Sequence, residues 1–152
     1  GIYGTKTTPN PNQHKALNVY VKLMRATNAV TARIHRHLKD IGMTNSQFGV
    51  LEALYHLGPL CQQEIGNKIL KTSGNMTMVI DNLEKRGLVV REKDPLDRRY
   101  LQIHLTRQGN DLISKVFPRH TGIAESVFAI LDAHELEQLG MLLKKLGRVA
   151  TY

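Results

Sequence analysis

Apolar side chains recur at helical spacing between residues 14 and 40, at Leu17, Val21, Met24, Val30, Ile34 and Leu38. This spacing predicts one long amphipathic helix, stopped by Gly42. Thr44 stands three residues ahead of Gln47, a spacing that lets two side chains satisfy the open backbone donors of a helix start. The helix it opens, over 45–57, is expected to bury Phe48, Leu51, Leu54 and Tyr55, and Gly58-Pro59 ends it. A short helix over about 62–69 follows. Residues 71–74 read as a turn, with Thr72 as N-cap of a fourth helix that reaches Arg86. In that helix Met76, Val79, Ile80 and Leu83 fall on one stripe, and Gly87 supplies the stop.

The period then changes from helical to alternating. Leu88-Val89-Val90 begins a strand, and Leu101, Ile103 and Leu105 alternate with Gln102 and His104 as in a half-buried second strand. Between them lies the polar loop Asp94-Pro95-Leu96-Asp97-Arg98-Arg99, so the pair predicts a β-hairpin with a charged tip. Thr106 caps a helix over about 107–131. Asp132 with Glu135 opens a last helix whose Leu136, Leu139, Leu142, Leu143 and Leu146 form a broad apolar stripe. Residues 1–13, rich in Gly, Thr and Asn with two prolines, read as a flexible N-terminal arm. The chain is thus mainly α with a small β-hairpin.

Charge narrows the choice of partner. Lys and Arg number 21 against 13 Asp and Glu, a net +8 over 152 residues, and such a surface attracts polyanions. The excess sits before residue 108, because residues 108–152 carry five groups of each sign. Arg33, Arg36 and Lys39 step along the first helix as a basic ridge, open to reading as a solvated face or as a phosphate contact. No run of 18 apolar residues suggests a membrane span, and the N-terminal stretch has no signal-peptide core. One cysteine rules out a disulfide framework within the chain and fits a cytoplasmic protein.

A short helix, a turn, a second helix and a basic-tipped hairpin make a winged helix-turn-helix pattern. The second helix is narrow enough for a major groove, and the hairpin reaches sideways to the neighbouring minor groove. With Met76, Val79, Ile80 and Leu83 facing inward, the outward face offers Ser73, Gly74, Asn75, Thr77, Met78 and Asn82, with Thr72 at the turn. These are small polar groups and a close backbone approach, as base reading requires. Asp81 is an unfavourable charge beside DNA, and it is expected to pair with Lys85 one turn on or to orient a neighbour.

The run from Ile65 to Gly109 resembles the core of the MarR (multiple antibiotic resistance regulator) family. NLEKRGLVVR is similar to the end of its recognition helix, DPLDRR to its wing and LTRQG to the start of its next helix, while MTNSQFGVLEALYHLG resembles its second helix. The likeness extends over about residues 14–149. It implies a homodimer whose terminal helices interlock, with residues 14–40 and 107–152 as the helical dimerisation region and 41–106 as the winged helix-turn-helix DNA-binding lobe. Leu17, Leu131, Leu136, Leu139, Leu143 and Leu146 are its interface candidates. The final helix supports this independently, since it carries more leucine than one side of a thin monomer can bury. The resemblance also implies that Arg99 enters the minor groove and that Asp97 holds it by a charge-assisted hydrogen bond. Arg98 is left as a phosphate contact or a solvated neighbour, and Asp94 as a brace for the loop. A pseudo-palindromic operator in double-stranded DNA and a small anionic or aromatic effector, lodged near Met24, Arg25, Asn28, Tyr55 and Phe117, complete the implied repressor.

Other readings compete with this one. Cys61 stands where the family often has Ser or Thr to open the third helix, which leaves it open to a redox role or to that of a small, partly buried filler. Its oxidation-sensing members carry the reactive cysteine near the start of the first helix, and this chain has none there. His35 and His37, two apart on a helix, cannot chelate one ion together, and His56, His104 and His120 lack paired local spacing, so a metal-responsive regulator would need long-range convergence. A winged helix can also serve as a protein-interaction module, which loss of the wing arginine or acidic replacement in the recognition helix would favour, and neither is seen. No ordered nucleophile–base constellation, phosphate-binding glycine loop or metal-ligand cluster marks an enzyme, and no cofactor is expected.

Overall fold

The structure, a computed structural model, describes residues 8–69 and 75–148. Helix α1 runs Pro11–Asp40 and starts inside the stretch expected to be an arm. Asn10 explains the early start: its side chain accepts from the amide of Gln13, whose side chain accepts from the amide of Asn10, both at 2.8 Å. Pro11 at the first helical position loses nothing, because its missing donor would be unpaired there. Helix α2, Asn45–Leu57, is opened by the same reciprocal arrangement between Thr44 and Gln47.

Next come β1 (Leu60–Cys61), α3 (Gln62–Lys68), α4 (Met76–Lys85), β2 (Val89–Lys93), β3 (Leu101–Leu105), α5 (Arg107–Phe128) and α6 (Ala133–Gly147). Helix α4 therefore begins later than the placement of its cap at Thr72 implies, and Thr72 itself lies outside the described residues. The expected hairpin is one part of a three-stranded antiparallel sheet in the order β1-β3-β2. Leu60 pairs with Ile103 and Cys61 with Gln102, so the far edge of β3 is covered and Leu60 joins the core. Two residues are too few for an alternating pattern to show in the sequence. Among the described residues, no helix is long and apolar enough to cross a membrane.

The core centres on α2, whose Phe48, Val50, Leu51 and Leu54 are buried, while Tyr55, expected inside, is 39% exposed. Around it pack Leu38 of α1, Met43, Ile65 of α3, Ile80 and Leu83 of α4, Leu88, Val89, Ile103, and Ile113 and Val116 of α5. Of the apolar series on α1, only Leu38 is buried; Val21 and Met24 are exposed, since most of this helix runs beyond the core. Helix α6 buries no residue at all.

One junction fixes the lobe to α5. Gly87 takes a φ of +75°, reserved for glycine, and turns the chain from α4 into β2. The Thr106 hydroxyl donates to the Gly87 carbonyl at 2.6 Å and accepts from the Gly109 amide at 3.0 Å. The first turn of α5 lies so close to the Leu88 carbonyl that any Cβ at Gly109 would overlap it.

Candidate nucleic-acid interface

Helix α4 is held on the lobe by Ile80 and Leu83, both fully buried, with Met76 and Val79 packed against the core beside them. Each fully buried aliphatic side chain contributes about 1.5–3 kcal/mol, whereas exposed ion pairs contribute about 0–1 kcal/mol. The apolar stripe thus docks the helix, and polar contacts set its orientation. Gln47 of α2 donates to the Asn82 side chain at 2.8 Å, and Gln62 of α3 donates to the Thr77 hydroxyl at 2.7 Å. The Arg86 guanidinium donates to the carbonyl of Gly42 at 3.0 Å, fastening the end of α4 to the turn after α1.

Asn75, Thr77, Met78 and Asn82 all lie exposed on one side of α4, with Asp81 and Lys85. Met78 is 63% exposed, and the Asn75 side-chain amide turns back to its sulfur at 3.7 Å. Ser73 and Gly74, expected beside them, lie with Thr72 outside the described residues. Asp81 does not pair with Lys85. Its carboxylate lies 2.6 Å from the guanidinium of Arg91 on β2, which also reaches Glu84 at 2.8 Å. A half-buried, rigid guanidinium offers better geometry than a flexible lysine on the helix itself. Arg91 therefore couples the wing strand to α4 and offsets two negative charges on its surface. Sequence reading missed this clasp, because the contact spans a turn of the chain and leaves no periodic mark.

The wing tip is built by two aspartates. Asp94 accepts from the Leu96 amide at 2.7 Å, and its own amide donates to the Tyr100 carbonyl at 2.9 Å, closing the loop. Asp97 accepts from Arg99 twice through the guanidinium, at 3.0 and 2.8 Å, and once through the backbone amide at 3.1 Å. The guanidinium contacts first, and the amide second, hold the Asp97 carboxyl below the usual carboxylate range. The same pairing raises the Arg99 guanidinium above its ordinary value. Arg99 stays 84% exposed at its side chain, so its charge is aimed outward by a fixed partner. Arg98 and Leu96 are exposed beside it.

The residues expected near an effector are only partly brought together. Tyr55 and Phe117 lie 6.2 Å apart between ring centres, with His56 4.6 Å from Phe117. Met24, Arg25 and Asn28 are exposed along α1. None of the five lines the cavity of about 510 Å3 bordered by Gly49, Glu52, Ala53, His56, Lys68 and Ile69. In the proposed basic ridge, Arg33 donates to the Ser126 hydroxyl of α5 at 3.3 Å. Of the interface candidates, Leu136, Leu143 and Leu146 are exposed, while Leu17, Leu131 and Leu139 are half-buried. Cys61 is half-buried at the start of α3, where Glu64 accepts from its amide at 3.1 Å.

Comparison with known proteins agrees with this arrangement. The sequence model of the MarR family matches residues 43–101. An uncharacterised HTH-type transcriptional regulator of Bacillus subtilis, YkoM, is 42% identical over 133 residues, which are 88% of this chain and 86% of that protein. MhqR, an HTH-type transcriptional regulator of the same organism, is 35% identical over 88% of this chain and 92% of its own. Among solved structures, BpsR of Bordetella bronchiseptica, whose DNA binding is regulated by 6-hydroxynicotinic acid, has a TM-score of 0.77 at 29% identity, covering 85% of this chain and 92% of that one. The MarR family regulator Sco3205 of Streptomyces coelicolor, solved in complex with DNA, has the same fold with a TM-score of 0.81 at 21% identity, over 97% and 93% of the two chains.

Proposed function

This chain belongs to the MarR family of transcriptional regulators and carries its DNA-binding winged helix, and on that premise we propose that it is a homodimeric, cytoplasmic repressor of a pseudo-palindromic operator, released by a small molecule. Helix α4 lies in the major groove, where Asn75, Thr77, Met78 and Asn82 meet base edges, and Thr72, Ser73 and Gly74, outside the described residues, complete the set of DNA-contact residues. The wing lies over the minor groove. The observation that carries this reading is the exposed Arg99 guanidinium, pinned by Asp97 at the tip of a sheet that Arg91 clasps to α4. Such a cation is already oriented, so little side-chain entropy is lost when it enters a narrow, strongly negative groove.

Two copies are supported by apolar surface that the described residues leave exposed. Val19, Tyr20 and Met24 on α1 and Leu136, Met141, Leu142, Leu143 and Leu146 on α6 are all more than 40% exposed. Joined through these helices, the two lobes hold their α4 helices about 34 Å apart, one turn of duplex. The effector is a small anionic aromatic compound, taken up by Met24, Arg25 and Asn28 of α1 with Tyr55 of α2 and Phe117 of α5. The regulation of BpsR by 6-hydroxynicotinic acid supports this class of ligand. A ligand that prefers the non-binding spacing of the lobes ten-fold supplies about 1.4 kcal/mol of coupling.

Selection of bound fragments from random-sequence duplex DNA tests the reading. At a fixed, stated salt concentration it should return a symmetric motif whose half-sites are centred about ten base pairs apart. Recovery of no preferred sequence at modest ionic strength would overturn it.

A further inference from the structure

The fold packs together two imidazoles that the DNA contact leaves without a task, one buried and one half-buried. His37, near the end of α1, is 5% exposed, and neither of its ring nitrogens has a hydrogen-bond partner. His120 of α5 stands 5.8 Å from it between ring centres and 4.3 Å from the Phe48 ring of α2. The Nδ1 of His120 is likewise buried without a partner. Three helices thus meet on a pair of rings, three of whose four nitrogens are buried without a partner. Leaving a buried polar group unpaired is unfavourable, and apolar side chains in the same space would avoid that cost.

The charges facing the pair come from all three helices. Asp40 of α1 favours a charged His37, and Glu52 of α2 favours a charged His120, whereas Arg119 of α5 opposes charge on His37. Burial outweighs these and holds both imidazoles below their ordinary value, with the neighbouring His120 and then Arg119 adding to the effect on His37. The sign follows from linkage. The unfolded chain takes up the proton first, so the stability gained from neutral rings is complete above about pH 6.5 and is lost as pH falls toward the lower folded values.

The pair also sits where movement would be felt by the DNA-binding surface. The carbonyl of Leu38, next to His37, accepts the amides of Ile41 and Met43, which form the turn whose Gly42 carbonyl receives Arg86 from the end of α4. On the other side, Pro118 lies inside α5 two residues before His120 and deprives that stretch of an amide donor. We infer that His37 and His120 form a proton-operated joint between α1 and the DNA-binding lobe: neutral, the rings are part of the core, and charged, they part and shift α4 away from its DNA-binding position. This rests on the DNA-binding reading above.

The test uses the full chain, first without DNA. In an NMR titration of the imidazole Cε1–H signals, His37 and His120 should titrate below about 6.5, the value of a free imidazole. Wild type should lose thermal stability between about pH 7.5 and 5.5, and His37→Leu combined with His120→Met should lose far less. Should the double variant fail to fold, His37→Asn combined with His120→Asn, neutral at every pH, makes the same comparison. Fluorescence anisotropy with the selected duplex should then show wild-type affinity falling about ten-fold or more between about pH 7.5 and 5.5, and the variant changing far less. Acidification makes a basic chain more positive and by itself tightens binding to a polyanion, so weakening has the opposite sign to general electrostatics. Rings titrating at or above the free value, or wild type and variant losing affinity in parallel, would overturn the joint. Failure of every duplex at about pH 7.5 overturns the DNA-binding reading and the joint's output with it, while titration and stability still decide whether the pair takes up protons.

Discussion

Arg99 illustrates how one side chain can be both exposed and positioned. Its guanidinium is tied by two contacts to Asp97, which is itself set by the wing turn, and it still faces solvent. Arg99→Ala should lower operator affinity by more than about ten-fold and leave the oligomeric state unchanged, because a minor-groove contact of this kind is worth about 1–3 kcal/mol. A gel-shift titration at constant salt reads this directly, and unaltered affinity would take the wing out of the interface. The partnership of Asp97 and Arg99 was legible only through the resemblance of DPLDRR to the family wing, and the two guanidinium contacts show it. The pairing of Asp81 was not. A lysine one turn along the helix is the near solution, and only the folded wing reveals the distant and better one, Arg91.

At the scale of elements, the helical segments were readable because their caps and stripes are local. Thr44 with Gln47, Thr106, and Asp132 with Glu135 all cap the helices they were expected to open. The start of α1 was misplaced because Asn10-Pro11-Asn12 looks like loop composition, although Asn10 with Gln13 is the same capping device. Strand β1 escaped because pairing with a distant strand, not local preference, creates it. The contact that most constrains the packing of elements is the approach of α5 to the β2 entry at Gly109. Gly109→Ala should destabilise the protein by about 1–3 kcal/mol, since the added methyl meets a backbone carbonyl that cannot move independently. Gly66→Ala, in α3 with open space around it, should be neutral or stabilising by up to about 1 kcal/mol. Urea unfolding of the two variants gives the comparison, and equal losses would show that the close approach is not what matters.

For the molecule as a whole, the candidate DNA surface and the exposed apolar stretches of α1 and α6 lie in different parts of the chain. Replacing Leu139 and Leu143 with Asp should therefore yield monomers, read by sedimentation, that bind operator poorly although each lobe remains folded. An undisturbed dimer would remove α6 from the interface. In the proposed homodimer, a helix with no interior of its own, α6, also ties order to abundance. As copies become scarce, mass action would loosen that helical frame before it touched the reading lobes, so the grip on a two-fold site should fade more steeply than in simple proportion to the amount of protein present.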